Sequence, residues 1–293
     1  MIREKTKITF LDGLLLLLVI AVLIYIGYRV KIGLRYHWRW DHLPQFYLRF
    51  DKENNRWVVN YILLGLFTTV KLSILSTIVA IIIGAIGGIF RAGKSLFLQL
   101  VGRVYVELVR NTPTLVLIFI FYFFVSDQIM PVLGIDTFMN SCSQNVQNFL
   151  TVIFAPPVLI NQFISAVFTV GFFEGAYITE IIRSGIQSIE KGQKDAAYAL
   201  GLSQWHEIRF IILPQAIKRI LPPLGGQFIS TIKDSAIVSA ISIQELTYQS
   251  VQLISTTYLI FETWITTTGL YLVLTLSLSL ALARIEKRLR RSD

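Results

Sequence analysis

Long apolar runs recur along this chain, and they constrain its fold more than any other feature. An α-helix needs about 20 apolar residues to cross a hydrocarbon core of roughly 30 Å, since each residue advances it by about 1.5 Å. Hydrophobic residues make up 54% of the chain and charged residues 15%, against about a quarter charged in soluble domains. We predict an all-α polytopic membrane protein. Its predicted spans are Phe10–Tyr28, Tyr61–Phe90, a run ending in Thr114–Val125, Gln162–Ile182, Leu224–Leu246 and Trp264–Ala283.

The positions of the charges predict an orientation rather than a nucleic-acid partner, although the net charge is +9. Lys and Arg cluster after the second and fourth spans and at the C-terminus, whereas the loops Ser126–Asn161 and Thr247–Thr263 contain neither. Cytoplasmic loops are enriched in Lys and Arg, so we predict that both termini are cytoplasmic. Residues 29–56 do not follow this rule, because the predicted orientation makes them an external loop although they include seven Lys or Arg residues. A membrane-surface helix or a docking site for an external partner would explain them.

The remaining composition argues against catalysis and metal binding. Cys142 is the only cysteine, and the three histidines do not form a ligand set, so we predict no disulfide and no metal site. The segment Gly88–Ser95 fits the phosphate-loop pattern, but that chemistry requires a preceding strand and a surrounding sheet. Because a membrane-spanning run precedes it here, we predict that this chain binds no nucleotide or other cofactor and is not an enzyme.

The segment between the fourth and fifth predicted spans has the pattern of a helix–turn–helix. Gln193–Leu200 is rich in alanine and predicts a short helix, and Gly201 favours a left-handed end to it. Ser203 fits the N-cap of a second helix, which Pro214 is expected to break or kink. A compact helical turn with small side chains on one side is suited to lie in a groove of another protein.

Short motifs in this segment resemble the EAA loop of binding-protein-dependent ABC importer permeases. These motifs are Asp195-Ala196-Ala197, Gly201 and Ile211-x-Leu213-Pro214, in which Asp195 replaces the leading Glu of the family pattern. Other segments resemble the polar amino acid branch of the family: Glu107-x-x-Arg110-Asn111-Thr112-Pro113, Gly175-Ala176-Tyr177-Ile178-x-Glu180, Leu213-Pro214-Gln215-Ala216 and Lys233-Asp234-Ser235. The resemblance covers about residues 63–284.

The resemblance implies a five-helix ABC-importer permease core of the MetI-like fold. Residues 59–293 are expected to form this domain, with the coupling loop at about 190–214, and residues 1–58 to add one N-terminal transmembrane helix and an external loop. Two permeases, identical or paralogous, would pair with an ABC ATPase dimer that holds ATP and Mg²⁺. A periplasmic amino-acid-binding protein would deliver a polar amino acid to this complex in the bacterial inner membrane. ATPase coupling is then expected at Asp195, Ala196, Ala197, Gly201, Leu213 and Pro214.

Four residues inside the predicted spans are candidates for the translocation pathway: Glu174, Lys233, Asp234 and Ser235. Charged side chains within spans usually face the bundle interior or a water-filled path. Glu174 could meet a substrate ammonium or a cationic side chain, or it could pair with Lys71 or with a residue of the partner chain. Lys233 and Asp234 could instead form an internal pair that holds the bundle together.

Overall fold

The computed structural model describes residues 10–33, 36–53 and 55–289. Its helices and strands are α1 (Phe10–Gly33), β1 (Leu48–Asp51), β2 (Arg56–Val59), α2 (Tyr61–Ala92), α3 (Leu96–Asn111), α4 (Thr114–Phe124), α5 (Met130–Leu133), α6 (Ile135–Ser141), α7 (Gln144–Ile153), α8 (Ile160–Gln187), α9 (Lys191–Ala199), α10 (Gln204–His206), α11 (Leu213–Asp234), α12 (Leu246–Thr257) and α13 (Ile260–Leu289). Apart from the two short strands, the predicted all-α class is confirmed.

The chain divides into two compact units, with the boundary between Trp40 and Asp41. In the first unit, nearly all described side chains of α1 are exposed, and its sequence is apolar all round. A helix of this kind is suited to contact lipid on every side. Three aromatic rings follow it: Tyr36 meets Trp38 edge to face with ring centroids 5.3 Å apart, and Trp38 stacks on Trp40 with centroids 5.7 Å apart. The predicted domain boundary after residue 58 stays a prediction.

Five helical segments of the described chain are long and apolar enough to cross a membrane. They are Phe10–Arg29, Tyr61–Ala92, Thr114–Leu133, Pro157–Gln187 and Ile260–Lys287. Each corresponds to one of the predicted spans, although most extend further than the sequence pattern indicated. The third continues past its predicted end at Val125 through a π-helical turn, Val125–Ile129.

The remaining predicted span, Leu224–Leu246, is wrong as a continuous helix. The helix in this region, α11, begins earlier at Leu213 and ends at Asp234, so Pro222 and Pro223 lie inside it rather than at its start. Beyond it the chain tightens into a 3₁₀ turn and reverses at Ser242, which has a φ of +64°. Four charged residues near its two ends keep α11 less apolar than the other spans, yet it packs against α2, α8 and α13.

The basic loop before α2 forms a β-hairpin, so the prediction of a membrane-surface helix is wrong for its second half. Strands β1 and β2 pair antiparallel, and the register places Phe50 opposite Trp57 and Asp51 opposite Arg56. Opposite residues share a face of a hairpin. One face therefore carries the aromatic pair, whose ring centroids are 5.5 Å apart, and the other carries the charged pair. Residues 34, 35 and 54 of this loop lie outside the described part.

Helices α2 and α8 form the centre of the second unit and run in the same direction. Their contacts advance together, from Lys71 beside Phe163 to Gly84 beside Ile178 and Gly88 beside Ile182. A Cβ atom on Gly84 would lie 2.5 Å from the Ile178 side chain, which is closer than real Cβ atoms come. The glycines allow a close helix–helix approach, because small residues four positions apart let two helix backbones come near each other.

Candidate coupling surface and translocation residues

The predicted coupling loop contains a short helix that ends as its sequence predicts. Gly201 has a φ of +71°, in the left-handed region that favours glycine. Its N–H donates to the Tyr198 carbonyl at 2.9 Å, and the Leu202 N–H donates to the Ala197 carbonyl at 3.1 Å. These two bonds form a Schellman motif, which satisfies carbonyl groups at the end of α9. The left-handed stop is therefore confirmed.

The second helix of the loop is capped as predicted but does not break at Pro214. The Ser203 hydroxyl accepts a hydrogen bond from the His206 N–H at 3.4 Å, so the N-cap is confirmed. The helical chain then passes through a π turn, Glu207–Ile212, directly into α11. Pro214 lies in the first turn of α11, where a residue without an N–H is tolerated. It marks the change from π to α hydrogen bonding, and a break there is wrong.

Large apolar side chains of this loop are exposed. Tyr198, Leu200, Trp205 and Phe210 have 84%, 77%, 64% and 62% of their surface accessible. We call these four residues the elbow surface. Large apolar side chains exposed together in a short segment outside the lipid-spanning helices are typical of protein interfaces. Among the predicted coupling residues, Asp195, Ala196, Gly201, Leu213 and Pro214 are exposed and Ala197 is buried.

The loop is fastened to two helices of the bundle through buried contacts. Ile189 and Ile212 belong to one apolar cluster with Ile178, Ile182, Ala216 and Ile220. A Cβ atom on Gly185 of α8 would clash with Ile220 of α11, so the two helices touch closely beside the loop. Arg219 also donates to the Ser188 carbonyl. A force on the loop would therefore reach both α8 and α11.

Glu174 lies on α8 where this helix faces α11, and its side chain is fully buried. Gln227 of α11 donates from Nε2 to Glu174 Oε2 at 2.6 Å. The second oxygen, Oε1, has no hydrogen-bond partner among the described residues. Pairing with Lys71 is wrong, because the Lys71 ammonium donates to the Phe154 carbonyl at 2.8 Å. Whether Glu174 contacts a substrate or a partner chain stays a prediction.

The structure brings only part of the Lys233-Asp234-Ser235 motif to this site. Asp234 is half-buried and lies on α11 about two turns beyond Gln227, the residue that donates to Glu174. Lys233 is exposed, and no ion pair within 4 Å joins it to Asp234 in the described chain. The internal Lys233–Asp234 salt bridge is therefore wrong. Ser235 is buried and donates to the Ile232 carbonyl at 2.7 Å, which tightens the end of α11.

Residues 80–291 match the family described as the binding-protein-dependent transport system inner membrane component. The chain belongs to this family. The permease is 34% identical over 226 residues to the glutamine transport system permease protein GlnP of Escherichia coli strain K12, an alignment that covers 77% of this chain and 91% of the relative. It is 29% identical over 253 residues to the glutamate/aspartate import permease protein GltJ of the same strain, an alignment that covers 86% of this chain and 95% of that relative.

Solved structures confirm the fold of the permease. A chain of an amino acid ABC transporter crystallised with histidines matches with a TM-score of 0.62 and 33% identity, covering 78% of this chain and 94% of that chain. An inward-facing structure of the MetNI methionine ABC transporter matches with a TM-score of 0.57 at 15% identity, and this match concerns the fold alone. The resemblance to polar amino acid permeases and the MetI-like core are therefore confirmed.

Sequence reasoning missed Glu245, a fully buried residue that joins three helices of the permease. Its carboxyl caps α12 by accepting from the N–H groups of Thr247 and Tyr248 at 2.9 and 2.8 Å. It also accepts from the Tyr271 hydroxyl of α13 at 2.8 Å and from the Thr69 hydroxyl of α2 at 3.3 Å. The acid directly before a helix was a sequence signal for the cap, but not for the two long-range contacts.

We expect Glu245→Ala to destabilise the permease strongly. Loss of the carboxyl leaves buried donors unpaired, and hydrogen bonds to charged groups contribute about 1.5–3 kcal/mol each. Thermal unfolding of the detergent-solubilised protein, with Glu53→Ala as the exposed control, measures the effect. We expect a loss of about 3 kcal/mol for Glu245→Ala and little change for the control. Equal unfolding midpoints for the two variants would contradict a stabilising role of the Glu245 hydrogen bonds.

Proposed function

We propose that this chain is the permease subunit of an ABC importer that carries a polar amino acid of the glutamine or glutamate type across the bacterial inner membrane. The names of the relatives support the amino acid class, since glutamine and glutamate/aspartate permeases align over most of this chain. The observation that carries the proposal is the elbow surface, which is exposed, apolar and fastened to α8 and α11.

The proposed partners follow from this role. A pair of ABC ATPase subunits holds ATP and Mg²⁺ and receives the elbow surface, a periplasmic binding protein delivers the amino acid, and a second permease, identical or paralogous, completes the pathway. The clusters of Lys and Arg around the elbow favour a cytoplasmic position for it, with both termini on the same side. The surrounding lipid contacts the exposed apolar faces of the spans.

Coupling is mechanical in this proposal. Closure of the ATPase pair moves α9, and the buried contacts at Ile189 and Ile212 pass this displacement to α8 and α11. Glu174 lies 11 residues before Gly185 on α8, or roughly 16 Å along the helix axis. Because the Glu174–Gln227 hydrogen bond directly joins α8 to α11, any sliding of these helices changes the geometry around the buried carboxylate.

The experiment compares two tryptophans of equal exposure. Trp205 of the elbow surface is 64% exposed and Trp57 of the hairpin is 68% exposed. Buried aromatic anchors at interfaces contribute about 2 kcal/mol or more, so we expect Trp205→Ala to weaken binding of the ATPase roughly 30-fold. The measurements are affinity for the purified partner ABC ATPase and ATP-driven glutamine uptake into proteoliposomes.

The matched variant Trp57→Ala is expected to keep wild-type affinity for the ATPase. Equal ATPase affinity of both variants would show that the elbow surface does not contact the ATPase. Uptake driven by an ion gradient in the absence of the ATPase would instead identify a self-sufficient carrier and sink the proposal.

A further inference from the structure

A cavity of about 280 Å³ lies between α2, the start of α8 and the segment before α12. Phenylalanine and leucine side chains form its apolar walls. Its polar lining is Thr68, Lys71, Thr151, Gln162, Ser242, Gln244 and Gln249. Ligand pockets of about 300–1,000 Å³ suit drug-sized molecules, so a cavity slightly below this range fits a ligand of the size of one amino acid.

Lys71 is the only charged residue among the described residues that line the cavity. It lies in the third turn of a membrane span, where a cation is costly and usually functional. Its ammonium donates to the Phe154 carbonyl at 2.8 Å and lies 5.9 Å from the centre of the Phe163 ring. The carbonyl accepts one of the three hydrogens of the ammonium group. The charge itself is therefore not neutralised by an acid in the cavity wall.

The chemistry of the lining selects one class of ligand. A carboxylate can approach the Lys71 ammonium with a charge-assisted hydrogen bond. Gln162, Gln244 and Gln249 offer both amide donors and amide acceptors, which can pair with an ammonium group or with an amide side chain. A cationic side chain would find no acidic partner among the described lining residues and would be repelled by Lys71.

We propose that this cavity binds a single amino acid with a neutral or acidic side chain, and that Lys71 binds its carboxylate. The inference rests on the proposed transport function and adds a binding site within the permease itself. Gln162 precedes Glu174 by 12 residues on α8, roughly 18 Å along the axis. The amino acid thus meets a fixed positive charge at one depth and the buried carboxyl of Glu174 at another.

Equilibrium binding of radiolabelled glutamate, glutamine and lysine to the purified permease–ATPase complex tests the site. The complex is held in phosphatidylcholine nanodiscs without ATP or binding protein, so that only sites of the transporter are measured. Wild type is expected to bind glutamate and glutamine more tightly than lysine. Lys71→Met should weaken glutamate binding at least about tenfold, the effect of one charge-assisted hydrogen bond, and Lys71→Arg should retain part of it.

Lys52→Met, which removes an exposed lysine of the hairpin, is the matched control and should bind glutamate as wild type does. Unchanged glutamate binding by Lys71→Met would overturn the inference. A Lys71→Met protein that unfolds at a lower temperature but binds glutamate normally when folded would overturn it as well. Matched nanodiscs that contain phosphatidylglycerol test whether the phosphate of a lipid headgroup, rather than an amino acid carboxylate, binds Lys71. Displacement of glutamate by this lipid would assign the cavity to a phosphate headgroup and overturn the amino acid site.

ATP-driven uptake by wild type separates this inference from the proposed function. If wild type transports glutamine but the Lys71 variants bind normally, only the cavity site fails. If wild type shows no ATP-driven uptake of any amino acid, the proposed function fails first.

Discussion

Gly201→Val is expected to reduce ATP-driven amino acid uptake at least about tenfold while leaving the membrane spans folded. Gly201 has a φ of +71°, and a β-branched residue in the left-handed region costs about 1–2 kcal/mol. No atom lies within 4 Å of the position that a Cβ would take at Gly201, so the effect acts through the backbone rather than through a steric clash. A different backbone angle at this position changes how α9 is presented to the ATPase.

A glycine within α9, the helix that ends just before Gly201, provides the control for this prediction. Gly192 also has open space around its Cβ position, but its φ is not positive, so Gly192→Val alters bulk without altering the turn. Uptake and ATP hydrolysis are measured together in proteoliposomes. Hydrolysis that continues without uptake in Gly201→Val identifies uncoupling. Equal uptake by both valine variants would show that the left-handed turn plays no part in coupling.

The second large effect is expected from Gly84→Val at the contact of α2 with α8. The new Cβ would lie 2.5 Å from the Ile178 side chain and 3.1 Å from its backbone carbonyl carbon, so the helices must separate. Overpacking of a close contact costs about 1–3 kcal/mol, and we expect a loss near 3 kcal/mol because the backbone cannot yield as a side chain can. Size-exclusion profiles and thermal unfolding of the purified protein measure it.

Gly269→Val on α13 serves as the comparison, because nothing lies within 4 Å of its Cβ position. It should keep the wild-type elution profile and nearly the wild-type unfolding temperature, as expected for a surface substitution without a steric conflict. If Gly84→Val unfolds at the same temperature as Gly269→Val, the close packing of α2 on α8 is not important for stability.

Local features of this chain were predictable because they depend on neighbouring residues. The left-handed turn at Gly201 and the cap at Ser203 each follow from one residue type at one position. Five of the spans follow from composition over a long window. The fifth predicted span was wrong because Pro222 and Pro223 were interpreted as the start of a helix. A helix packed among other helices can include proline in its interior.

Long-range pairings were not predictable, since they depend on how helices meet. The sequence left several partners open for Glu174, and in the structure its carboxyl accepts from Gln227, 53 residues away. Lys71 reaches the Phe154 carbonyl across 83 residues, and no local pattern encodes that contact. Glu245 carried a local signal for a helix cap, yet its contacts with Thr69 and Tyr271 depend on the packing of α2 and α13.

The shared direction of α2 and α8 has a consequence for how this protein can change over evolutionary time. Their contacts keep step from Lys71 and Phe163 to Gly88 and Ile182. Inserting one residue in either stretch would rotate everything beyond it by about 100° and turn glycines away from their isoleucines. Length variation should therefore accumulate in the connection between the two helices, whose ends stay in place whatever its size.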